Sequence, residues 1–358
     1  MKKRLMRGNH VIAEAAIRAG CQCYFGYPIT PQNELGEYMA EYLPKVKGAV
    51  YIQAESELAA INMTLGAAVT GARVMTSSSS PGISLKQEGI SFLAGQELPA
   101  VVVNIVRGGP GLGNIAPSQA DYFQATRGGG HGDYRTIVLA PSSVQELADL
   151  TFDAFDLADK YRNPVVILGD GLLGQMMEPV IFREPLKNLP RKEWALTGAD
   201  ERPSRFSRSL ILDTTAMEEH NWKLHRKYEL ITKQEVRAEV SDLKSAELVI
   251  VAYGVAARIA RGAIKRSRRE GIRVGLIRPI TLWPFPSDVI RETASRIKHF
   301  LVFEMNTGQM IEDVKLALEG KAEVHFYGRP GGSVPTPVEL ERVITRVYYH
   351  SIRKERSK

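Results

Sequence analysis

Short apolar runs and amphipathic stretches alternate along the first half of the chain. Residues 100–106 and 164–168 are almost entirely apolar, whereas residues 143–161 place apolar side chains at helical spacing. Continuous apolar runs of about four to eight residues are typical of strands buried on both faces of a parallel sheet. Regular alternation of such strands with helices predicts the α/β class, with a doubly wound parallel sheet.

Polar residues and prolines divide this half of the chain into predicted elements. Asn9, Thr30 and Ser118 each precede or begin a predicted helix and are interpreted as N-caps, because a side-chain oxygen there accepts the free N–H groups of the first turn. Pro31 suits the first helical position after Thr30, and Asp121 completes a box-like pattern after Ser118. The predicted helices are 9–19, one from Pro31, 56–69, one after Ser118 and 143–161, and the predicted strands are 23–25, 49–53, 73–76, 100–106, 136–140 and 164–168.

The alternation stops near residue 178 and resumes near residue 247. Prolines interrupt the segment between, and Asp213 is expected to cap a charged helix that runs towards Val240. The later predicted strands, each followed by a helix or a loop with proline and glycine, are 248–253, 274–277, 300–304 and 324–327. We therefore predict a first domain at 1–185, a linker arm with a helix at 186–244, and a second, smaller α/β domain at 245–358.

Length and composition indicate a soluble globular protein. The 358 residues are enough for two or three domains, and the charged, glycine and proline fractions are ordinary. The apolar runs are far too short to span a bilayer. The basic start at residues 1–4 is like that of a signal peptide, but Asn9, His10 and Glu14 interrupt any apolar core. We therefore expect a cytoplasmic protein that does not enter the membrane.

The net charge of +7 comes largely from a predicted helix at 255–269 and from the tail at 353–358. The helix keeps an apolar stripe that can pack on a sheet, so its basic side chains are expected to face outward. Neither aromatic interleaving nor a nucleic-acid motif accompanies them. We interpret this basic face as a solvated surface or a docking surface for an acidic protein, and not as a nucleic-acid site.

The cysteine content argues against a metal cluster held by this chain alone. Cys21 and Cys23 are its two cysteines, which is too few for an iron–sulfur cluster or a structural zinc site. Their spacing on one strand is also poor geometry for a disulfide. Both are therefore expected as reduced thiols.

Four strand ends of the first domain carry unusual loops, at 27–31, 53–57, 77–82 and 107–113. Parallel strands send their carboxyl ends to one edge of the sheet, where α/β folds bind ligands, so we expect these loops to converge. No phosphate-binding motif of the Walker or dinucleotide type is present in the sequence. A nucleotide-binding enzyme therefore has little support.

Three charged residues are candidates for chemistry at this edge. Arg107 precedes a glycine-rich loop and offers a planar fork that suits a carboxylate, although an arginine that merely reaches solvent at a sheet edge would look the same. Glu55 and Glu57 flank a strand-to-helix junction. Either could complement the helix dipole, and one buried among small residues could share a proton with a cofactor nitrogen. His131, in a glycine-rich loop, is a substrate contact or a bystander.

Taken together, these motifs resemble the α subunit of 2-oxoacid:ferredoxin oxidoreductases in order and spacing. The likeness covers nearly the whole chain, because the segment from Glu247 onward is similar to that family's transketolase-C-terminal-like domain. The residues that carry the likeness are Gly8-Asn9, Tyr27-Pro28-Ile29-Thr30-Pro31, Glu55-Ser56-Glu57-Leu58-Ala59-Ala60, Ser79-Ser80-Pro81-Gly82 and Arg107-Gly108-Gly109-Pro110.

The loop after Pro110 is most similar to the branched-chain, 2-oxoisovalerate members of that family. The 2-oxoglutarate branch usually has Ser-Thr-Gly after this proline, and the present chain departs from it. Ser80 also stands where many relatives have glycine. The sequence of the loop is Gly111-Leu112-Gly113-Asn114-Ile115-Ala116-Pro117-Ser118-Gln119.

The resemblance implies that residues 1–185 bind the pyrimidine end of thiamine diphosphate. By its spacing from Gly66, Glu57 fits the glutamate at N1′ of the aminopyrimidine better than Glu55 does. That contact favours the imino form, whose N4′ takes the proton from thiazolium C2. Thr30 is the second catalytic candidate, and Arg107 would hold the oxoacid carboxylate. The implied substrate-binding residues are Arg107, Thr30 and Tyr27, and the implied cofactor-binding residues are Glu57, Pro28, Ile29 and Ser80.

The implied reaction is oxidative decarboxylation of a 2-oxoacid to acyl-CoA, with electrons passed to ferredoxin. In the family, the diphosphate, its magnesium ion and an iron–sulfur cluster belong to a separate β subunit, and γ and ferredoxin-like δ subunits complete the complex. The two cysteines agree with this. Gly169-Asp170-Gly171 begins like a thiamine-enzyme metal motif but lacks an asparagine at the required distance, so no metal site is expected in this chain.

Two alternatives remain open at this point. The same complex could act on 2-oxoglutarate, pyruvate or an aryl pyruvate. The chain could also be a non-catalytic scaffold that docks electron-transfer subunits. Glu57, Thr30 and Arg107 argue against the scaffold, because a docking subunit does not need these side chains on converging strand ends.

Overall fold

The computed structural model describes residues 3–199 and 202–353. Met1 and Lys2 of the basic amino-terminal segment lie outside the described residues, as does the part of the predicted basic tail that follows Arg353.

The strands follow the apolar runs of the sequence, and the fifth coincides with the predicted range of 100–106. In chain order, the strands of the described residues are β1 (Arg4–Arg7), β2 (Cys23–Gly26), β3 (Val50–Gln53), β4 (Val74–Ser78), β5 (Ala100–Val106), β6 (Ile137–Leu139), β7 (Pro164–Asp170), β8 (Met177–Val180), β9 (Ala238–Ser241), β10 (Leu248–Val251), β11 (Val274–Pro279), β12 (Thr281–Trp283), β13 (His299–Glu304) and β14 (Glu323–Gly328).

Helices connect most of these strands. Short 3₁₀ turns follow the second helix and precede β10, and a π-helical turn follows the last helix. The α-helices of the same residues are α1 (Gly8–Arg18), α2 (Asn33–Tyr42), α3 (Glu57–Val69), α4 (Ser80–Gly95), α5 (Tyr122–Arg127), α6 (Val144–Tyr161), α7 (Gly171–Gln175), α8 (Thr214–Gln234), α9 (Gly254–Arg269), α10 (Ser287–Ala294), α11 (Met310–Leu318) and α12 (Pro337–Val347).

A seven-stranded sheet organises the first part of the chain, in the order β12-β6-β7-β5-β4-β2-β3. Every neighbouring pair is parallel except β12 with β6. Residues of α1, α2 and α6 pack in the core on one face, and residues of α3 and α4 pack in a second core on the other. This arrangement confirms the predicted α/β class with a doubly wound parallel sheet.

The second sheet has five strands in the order β14-β13-β10-β11-β9, and β9 alone is antiparallel to its neighbour. β9 comes from inside the segment that we expected to be a linker arm. β12 follows β11 in the chain, but it pairs with β6 of the first sheet. One edge strand of the first sheet, β12, therefore comes from the chain segment that forms the second sheet.

A buried arginine fastens this junction. Arg278, in β11, is almost completely buried, and its Nη2 lies 2.7 Å from Glu146 Oε1 of α6 and 2.8 Å from Glu239 Oε2 of β9. Two carboxylates on one guanidinium satisfy a cation that could not otherwise be buried at low cost. The contact ties the first sheet's helix layer to the second sheet.

A buried carboxylate marks the end of β13. Glu304 is fully buried and accepts hydrogen bonds from Asn306 Nδ2 and from the backbone N–H groups of Gln309, Met310 and Ile311. Burial raises the pKa of Glu304, and these donors oppose the rise. The carboxylate thus satisfies the free N–H groups at the start of α11.

Two of the predicted N-caps, Thr30 and Asn9, are wrong. α2 begins two residues after Pro31, Gln32 occupies its N-cap position, and Thr30 does not cap it. Asn9 lies inside α1, where its buried Nδ2 donates to the Pro31 carbonyl at 2.8 Å and to Glu34 at 2.9 Å. Asn9 therefore holds the loop before α2 and caps nothing.

The prediction for Ser118 is also wrong. α5 begins after Asp121, without a side-chain cap, and the Ser118 hydroxyl donates to the Met305 carbonyl. The prediction for Asp213 is confirmed, because its side chain accepts from the first turn of α8. Ser56, at the predicted start of the helix 56–69, likewise accepts the Ala59 N–H and caps α3.

The basic face of α9 is largely neutralised within the chain. Its apolar stripe packs on the second sheet as expected. However, four of its arginines have acidic partners, so the face is less available for docking than the sequence suggested. These pairs are Arg258–Glu178, Arg261–Glu239, Arg266–Glu341 and Arg268–Asp242.

Among the described residues, none of the helices combines the length and apolar character that a membrane crossing requires.

Candidate active site

The four unusual loops lie side by side. β5, β4, β2 and β3 are consecutive neighbours in the first sheet, and the loops at 27–31, 53–57, 77–82 and 107–113 follow their carboxyl ends. The expected convergence is therefore present. We call this group of four segments the carboxyl edge.

The two candidate glutamates differ sharply in exposure. Glu57 opens α3, immediately after the Ser56 cap, and its side chain is only 6 % exposed. Glu55, two residues earlier and outside the helix, is exposed to solvent. Burial distinguishes the two residues and agrees with the choice of Glu57, whose catalytic role stays a prediction.

The start of α4 encloses the Glu57 carboxylate. A Cβ placed on Gly82 would lie 2.4 Å from Glu57 Oε1 and 2.0 Å from Ser78 Oγ, so only glycine fits here. The hydroxyls of Ser78 and Ser79 are buried without a hydrogen-bond partner among the described residues. Over the same residues, the Glu57 carboxylate also accepts no hydrogen bond. Such unsatisfied polar atoms are rare and call for a ligand or water.

Arg107 is held rigidly and still has donor capacity. It is 7 % exposed, and its Nη1 and Nη2 donate to the carbonyls of Thr30 at 2.9 Å and Leu112 at 3.1 Å. Its Nε is buried and meets no acceptor in the part of the chain that the structure describes. The guanidinium therefore bridges two of the loops and keeps a positive charge without a carboxylate partner there.

A polar network beneath Arg107 joins it to the start of α4. The Ser80 hydroxyl donates to Asp121 at 2.7 Å and accepts from the backbone N–H of Arg107 at 3.1 Å, and Asn104 also donates to Asp121. Burial raises the pKa of Asp121, and the bonds from Ser80 and Asn104 oppose the rise. The Ser80 hydroxyl is thus engaged below the edge, and its contact with the cofactor stays a prediction.

The loop at 27–31 is anchored from below and exposed above. Its Pro31 carbonyl accepts from Asn9 and from Gln175, at 2.8 and 3.1 Å. Tyr27, Pro28 and Thr30 are exposed, and Ile29 is half-buried. These four predicted binding residues are therefore at least partly accessible, on the loop whose Thr30 carbonyl accepts from Arg107. Their roles in binding stay predictions.

A buried lysine lies behind Glu57 and was not anticipated from the sequence. Lys86 is completely buried one turn after Gly82, and its Nζ donates to Thr76 Oγ1 and to the Ser77 carbonyl. Burial lowers the pKa of Lys86 to about 7, and the charge of Glu57 opposes this fall. Asp121 and Lys86 had no local signal, because burial depends on which helices pack together.

The carboxyl edge is an open surface and not a closed pocket. Apolar side chains are exposed on its segments or within two residues of them, namely those of Tyr27, Leu58, Leu112 and Ile115. A cavity of about 1000 Å³ lies elsewhere, between α8 and the loop at 132–135. Exposed apolar surface beside buried polar groups is typical of a site completed by another protein surface.

Two other sequence features fall outside this site. Asp170 accepts hydrogen bonds from the backbone N–H groups of Leu172 and Leu173, so it caps α7. Burial raises its pKa to about 6. His131 is exposed on its loop, edge-on to Phe92 at 6.2 Å between ring centroids.

Two family models together match most of the chain. Residues 14–244 match the model described as the thiamine diphosphate-binding domain of pyruvate flavodoxin/ferredoxin oxidoreductase. Residues 246–340 match core domain II of pyruvate:ferredoxin oxidoreductase.

Curated relatives cover nearly the full length. The ketoisovalerate oxidoreductase subunit VorB of Methanothermobacter marburgensis is 52 % identical, over 97 % of this chain and 97 % of the relative. The 2-oxoglutarate synthase subunit KorA of Methanocaldococcus jannaschii is 38 % identical, over 96 % of this chain and all of the relative.

A solved structure agrees with these relatives. It is the 2-oxoglutarate:ferredoxin oxidoreductase from Magnetococcus marinus with 2-oxoglutarate, coenzyme A and succinyl-CoA bound, at a TM-score of 0.86 and 27 % identity. The match covers 96 % of this chain and 65 % of that one. With its thiamine diphosphate-binding domain and its core domain II, the chain belongs to the 2-oxoacid:ferredoxin oxidoreductase family and is an oxidoreductase subunit of that family.

Proposed function

We propose that this chain provides the pyrimidine half of a thiamine diphosphate site, and the carboxylate anchor for the substrate, in a 2-oxoisovalerate:ferredoxin oxidoreductase. The observation that carries the proposal is a single edge of the sheet that holds a buried carboxylate, which accepts no hydrogen bond from the described residues, and a guanidinium with a free donor. Charged side chains that converge at the carboxyl ends of parallel strands are the expected composition of a binding site in an α/β fold.

The residues present fit the cofactor's pyrimidine end. An aminopyrimidine has a ring nitrogen that accepts a proton and an amino group that donates, so it needs a nearby carboxylate and neutral polar atoms. Glu57 and the unpaired hydroxyls of Ser78 and Ser79 supply both kinds of group. The glycine at 82 keeps a side chain from filling that space.

Glu57 would hold a proton at N1′ of the pyrimidine. When bound, thiamine diphosphate supplies the carbanion chemistry that removes CO₂ from a 2-oxoacid. Burial of Glu57 excludes water from this proton and keeps the carboxylate in one place, which favours transfer along a fixed hydrogen bond. Thr30, exposed beside Arg107, would contact the substrate or the cofactor.

Arg107 would bind the carboxylate of the substrate. Its two bonds to the Thr30 and Leu112 carbonyls fix the plane of the guanidinium, which reduces the entropy lost when an anion binds. Tyr27 lies on the neighbouring loop and would face the same substrate. Pro28, Ile29 and Ser80 would complete the cofactor's surroundings on this subunit.

A branched-chain 2-oxoacid fits this edge better than 2-oxoglutarate does. Arg107 is the one basic residue in the four segments at 27–31, 53–57, 77–82 and 107–113. A monocarboxylate needs one such cation, whereas 2-oxoglutarate needs a second for its distal carboxylate. Exposed Leu112 and Ile115 would instead suit an apolar side chain. The VorB relative is named for ketoisovalerate, which agrees with this choice.

Partner subunits would complete the site. A β subunit would bind the diphosphate, its magnesium ion and an iron–sulfur cluster, and would cover the apolar side chains of the carboxyl edge. A γ subunit and a ferredoxin-like δ subunit would pass the electrons to ferredoxin, and coenzyme A would take the acyl group. This chain alone would then be inactive, and the complex would be cytoplasmic.

Exchange of each glutamate for its amide tests the assignment. In the assembled complex, Glu57→Gln should lower the rate of 2-oxoisovalerate decarboxylation about 10²- to 10⁴-fold, because a proton at the pyrimidine is no longer held. Glu55→Gln, a change of the same kind on an exposed neighbour, should stay within about twofold. Gel filtration would check that both complexes are still assembled.

The same pair of variants separates the alternatives. Normal turnover in Glu57→Gln together with a loss in Glu55→Gln would transfer the role to Glu55. Normal turnover in both variants would support the scaffold alternative. A complex that prefers 2-oxoglutarate, pyruvate or an aryl pyruvate would keep the mechanism and overturn only the substrate.

A further inference from the structure

A cluster of two histidines and one glutamate lies at the far edge of the second sheet, away from the carboxyl edge. His299 begins β13 and Glu323 begins β14, and the two residues are paired in register. His325 follows two positions after Glu323. Residues two apart on a strand share a face, as do residues in register on parallel neighbours, so all three side chains lie on one face of the sheet.

The three ligand atoms are already close together. His299 Nδ1 lies 3.2 Å from Glu323 Oε2, and His325 Nε2 lies 3.6 Å from Glu323 Oε1. The atoms that the three residues offer all lie within 4.8 Å of one another. The imidazole rings are nearly parallel, with centroids 5.9 Å apart.

These distances match those around a tetrahedral metal ion. Zinc bonds to imidazole nitrogen and carboxylate oxygen at about 2.0–2.2 Å, which separates neighbouring ligand atoms by roughly 3.3–3.5 Å in a tetrahedron. The two nitrogen-to-oxygen distances, 3.2 and 3.6 Å, are of this size, but each runs to a different oxygen of Glu323. Binding of one ion by all three residues would therefore need a small adjustment of these side chains within the 4.8 Å that now encloses their ligand atoms.

We propose that His299, Glu323 and His325 form a binding site for a divalent transition metal of the zinc class, with a fourth position open at the sheet edge. Imidazole nitrogen is a poor ligand for magnesium and calcium and a good one for zinc, cobalt and nickel. The cluster lies in core domain II, outside the thiamine diphosphate site, so the inference does not depend on the proposed function.

Burial gives the site both order and an entrance. The His299 and His325 side chains are 8 % and 16 % exposed, whereas Glu323 is 50 % exposed. Two rings are therefore held by their surroundings, and the carboxylate opens towards solvent, where an ion can enter. The fourth position would take water, which is the arrangement of an open three-ligand site.

The bound ion would pin an edge strand. β14 ends the second sheet and pairs only with β13, so one of its sides lacks a strand partner among the described residues. A metal bonded to both strands at their first residues would oppose fraying from that end, since it binds the folded arrangement and not the unfolded chain.

Titration of the metal-free full chain with zinc alone tests the site. After treatment with a chelator, wild-type chain should bind one equivalent of Zn²⁺ in a calorimeter, and its melting temperature should rise. His325→Ala and Glu323→Gln should each weaken Zn²⁺ binding at least about tenfold and abolish the rise. Co²⁺ should likewise bind more tightly to wild type than to either variant, and its visible spectrum should report the coordination geometry.

A matched pair elsewhere on the chain provides the control. His225 Nε2 lies 3.8 Å from Glu229 Oε1 on the exposed face of α8. Among the described residues, no third histidine, cysteine or acidic side chain forms a metal-type group with this pair. His225→Ala should therefore leave Zn²⁺ binding unchanged. Absence of Zn²⁺ binding by the wild-type chain, or equal binding by wild type and His325→Ala, would overturn the proposal and leave an ion-paired cluster.

Discussion

Glu57 and Glu304 are two buried carboxylates at strand-to-helix junctions, one in each sheet, with opposite surroundings. Glu304 accepts hydrogen bonds from four donors, three of them backbone N–H groups at the start of α11, which offset part of the cost of its burial. Glu57 accepts none within the described chain, although it is nearly as buried. The donors around Glu304 make its carboxylate part of the fold, whereas the Glu57 carboxylate has no protein donor that an amide would lose.

The largest difference between the two regions is expected when each acid becomes an amide. Glu304→Gln turns an NH₂ group towards backbone donors, and the free energy of unfolding should fall by about 2–4 kcal/mol, since each unsatisfied buried donor costs roughly 1–3 kcal/mol. Glu57→Gln disturbs no donor and should change it by less than about 0.5 kcal/mol. Urea unfolding measures both values, and equal losses would give Glu57 a structural role.

Two buried arginines extend the comparison to the opposite charge. Arg107→Ala should raise the KM for the 2-oxoacid roughly 10- to 150-fold, which corresponds to a lost charged hydrogen bond of about 1.5–3 kcal/mol. Arg278→Ala leaves two carboxylates unpaired at the sheet junction, so it should lower stability and leave KM unchanged. Initial rates of the assembled complex over a range of 2-oxoisovalerate concentrations check both. An unchanged KM in Arg107→Ala would remove it from the substrate site.

The smallest expected effect comes from Lys86, the cation behind Glu57. Its folded pKa of about 7 lies below the ordinary value of 10.5, so the folded chain must bury a charge at low pH. Wild-type stability should therefore rise between about pH 7 and 10, where the unfolded chain binds a proton that the folded chain has lost. Lys86→Met removes this dependence.

Melting temperatures across pH measure the effect of Lys86→Met. The variant should be more stable than wild type by about 1–2 kcal/mol at pH 6, because removal of the buried charge outweighs two lost hydrogen bonds. The advantage should vanish and then reverse as the pH approaches 10, because wild type loses the buried charge but keeps its two hydrogen bonds. A constant difference across this range would mean that Lys86 does not titrate there.

The order of strands and helices was predictable because apolar runs depend on local composition. The runs at 100–106 and 164–168 became β5 and β7, and the helix at 143–161 became α6. The edge strands β9 and β12 were not predictable, since a short strand at a sheet edge has little apolar patterning of its own. Their pairing is a property of the packed junction.

The site was predictable in position but not in its internal contacts. Convergence of the four loops followed from parallel topology alone, and Glu57 and Arg107 lie on them as expected. Thr30, Asn9 and Ser118 lie near helix starts but do not cap them. The Asn9 amide and the Ser118 hydroxyl donate to residues far away in the chain, and the Thr30 carbonyl accepts from Arg107. Local patterns cannot distinguish a helix cap from a side chain that bonds to a distant segment. The cluster of His299, Glu323 and His325 could not be predicted from the sequence for the same reason, because it depends on which strands pair.

The position of β12 in the chain limits how this protein could be divided into two fragments. β12, which belongs to the first sheet, is encoded between β11 and β13 of the second. No single break in the coding sequence therefore yields two fragments that each hold one complete sheet. A break before β9 would leave the second fragment with its whole sheet, whereas the first fragment would lack β12 at the edge of its own sheet.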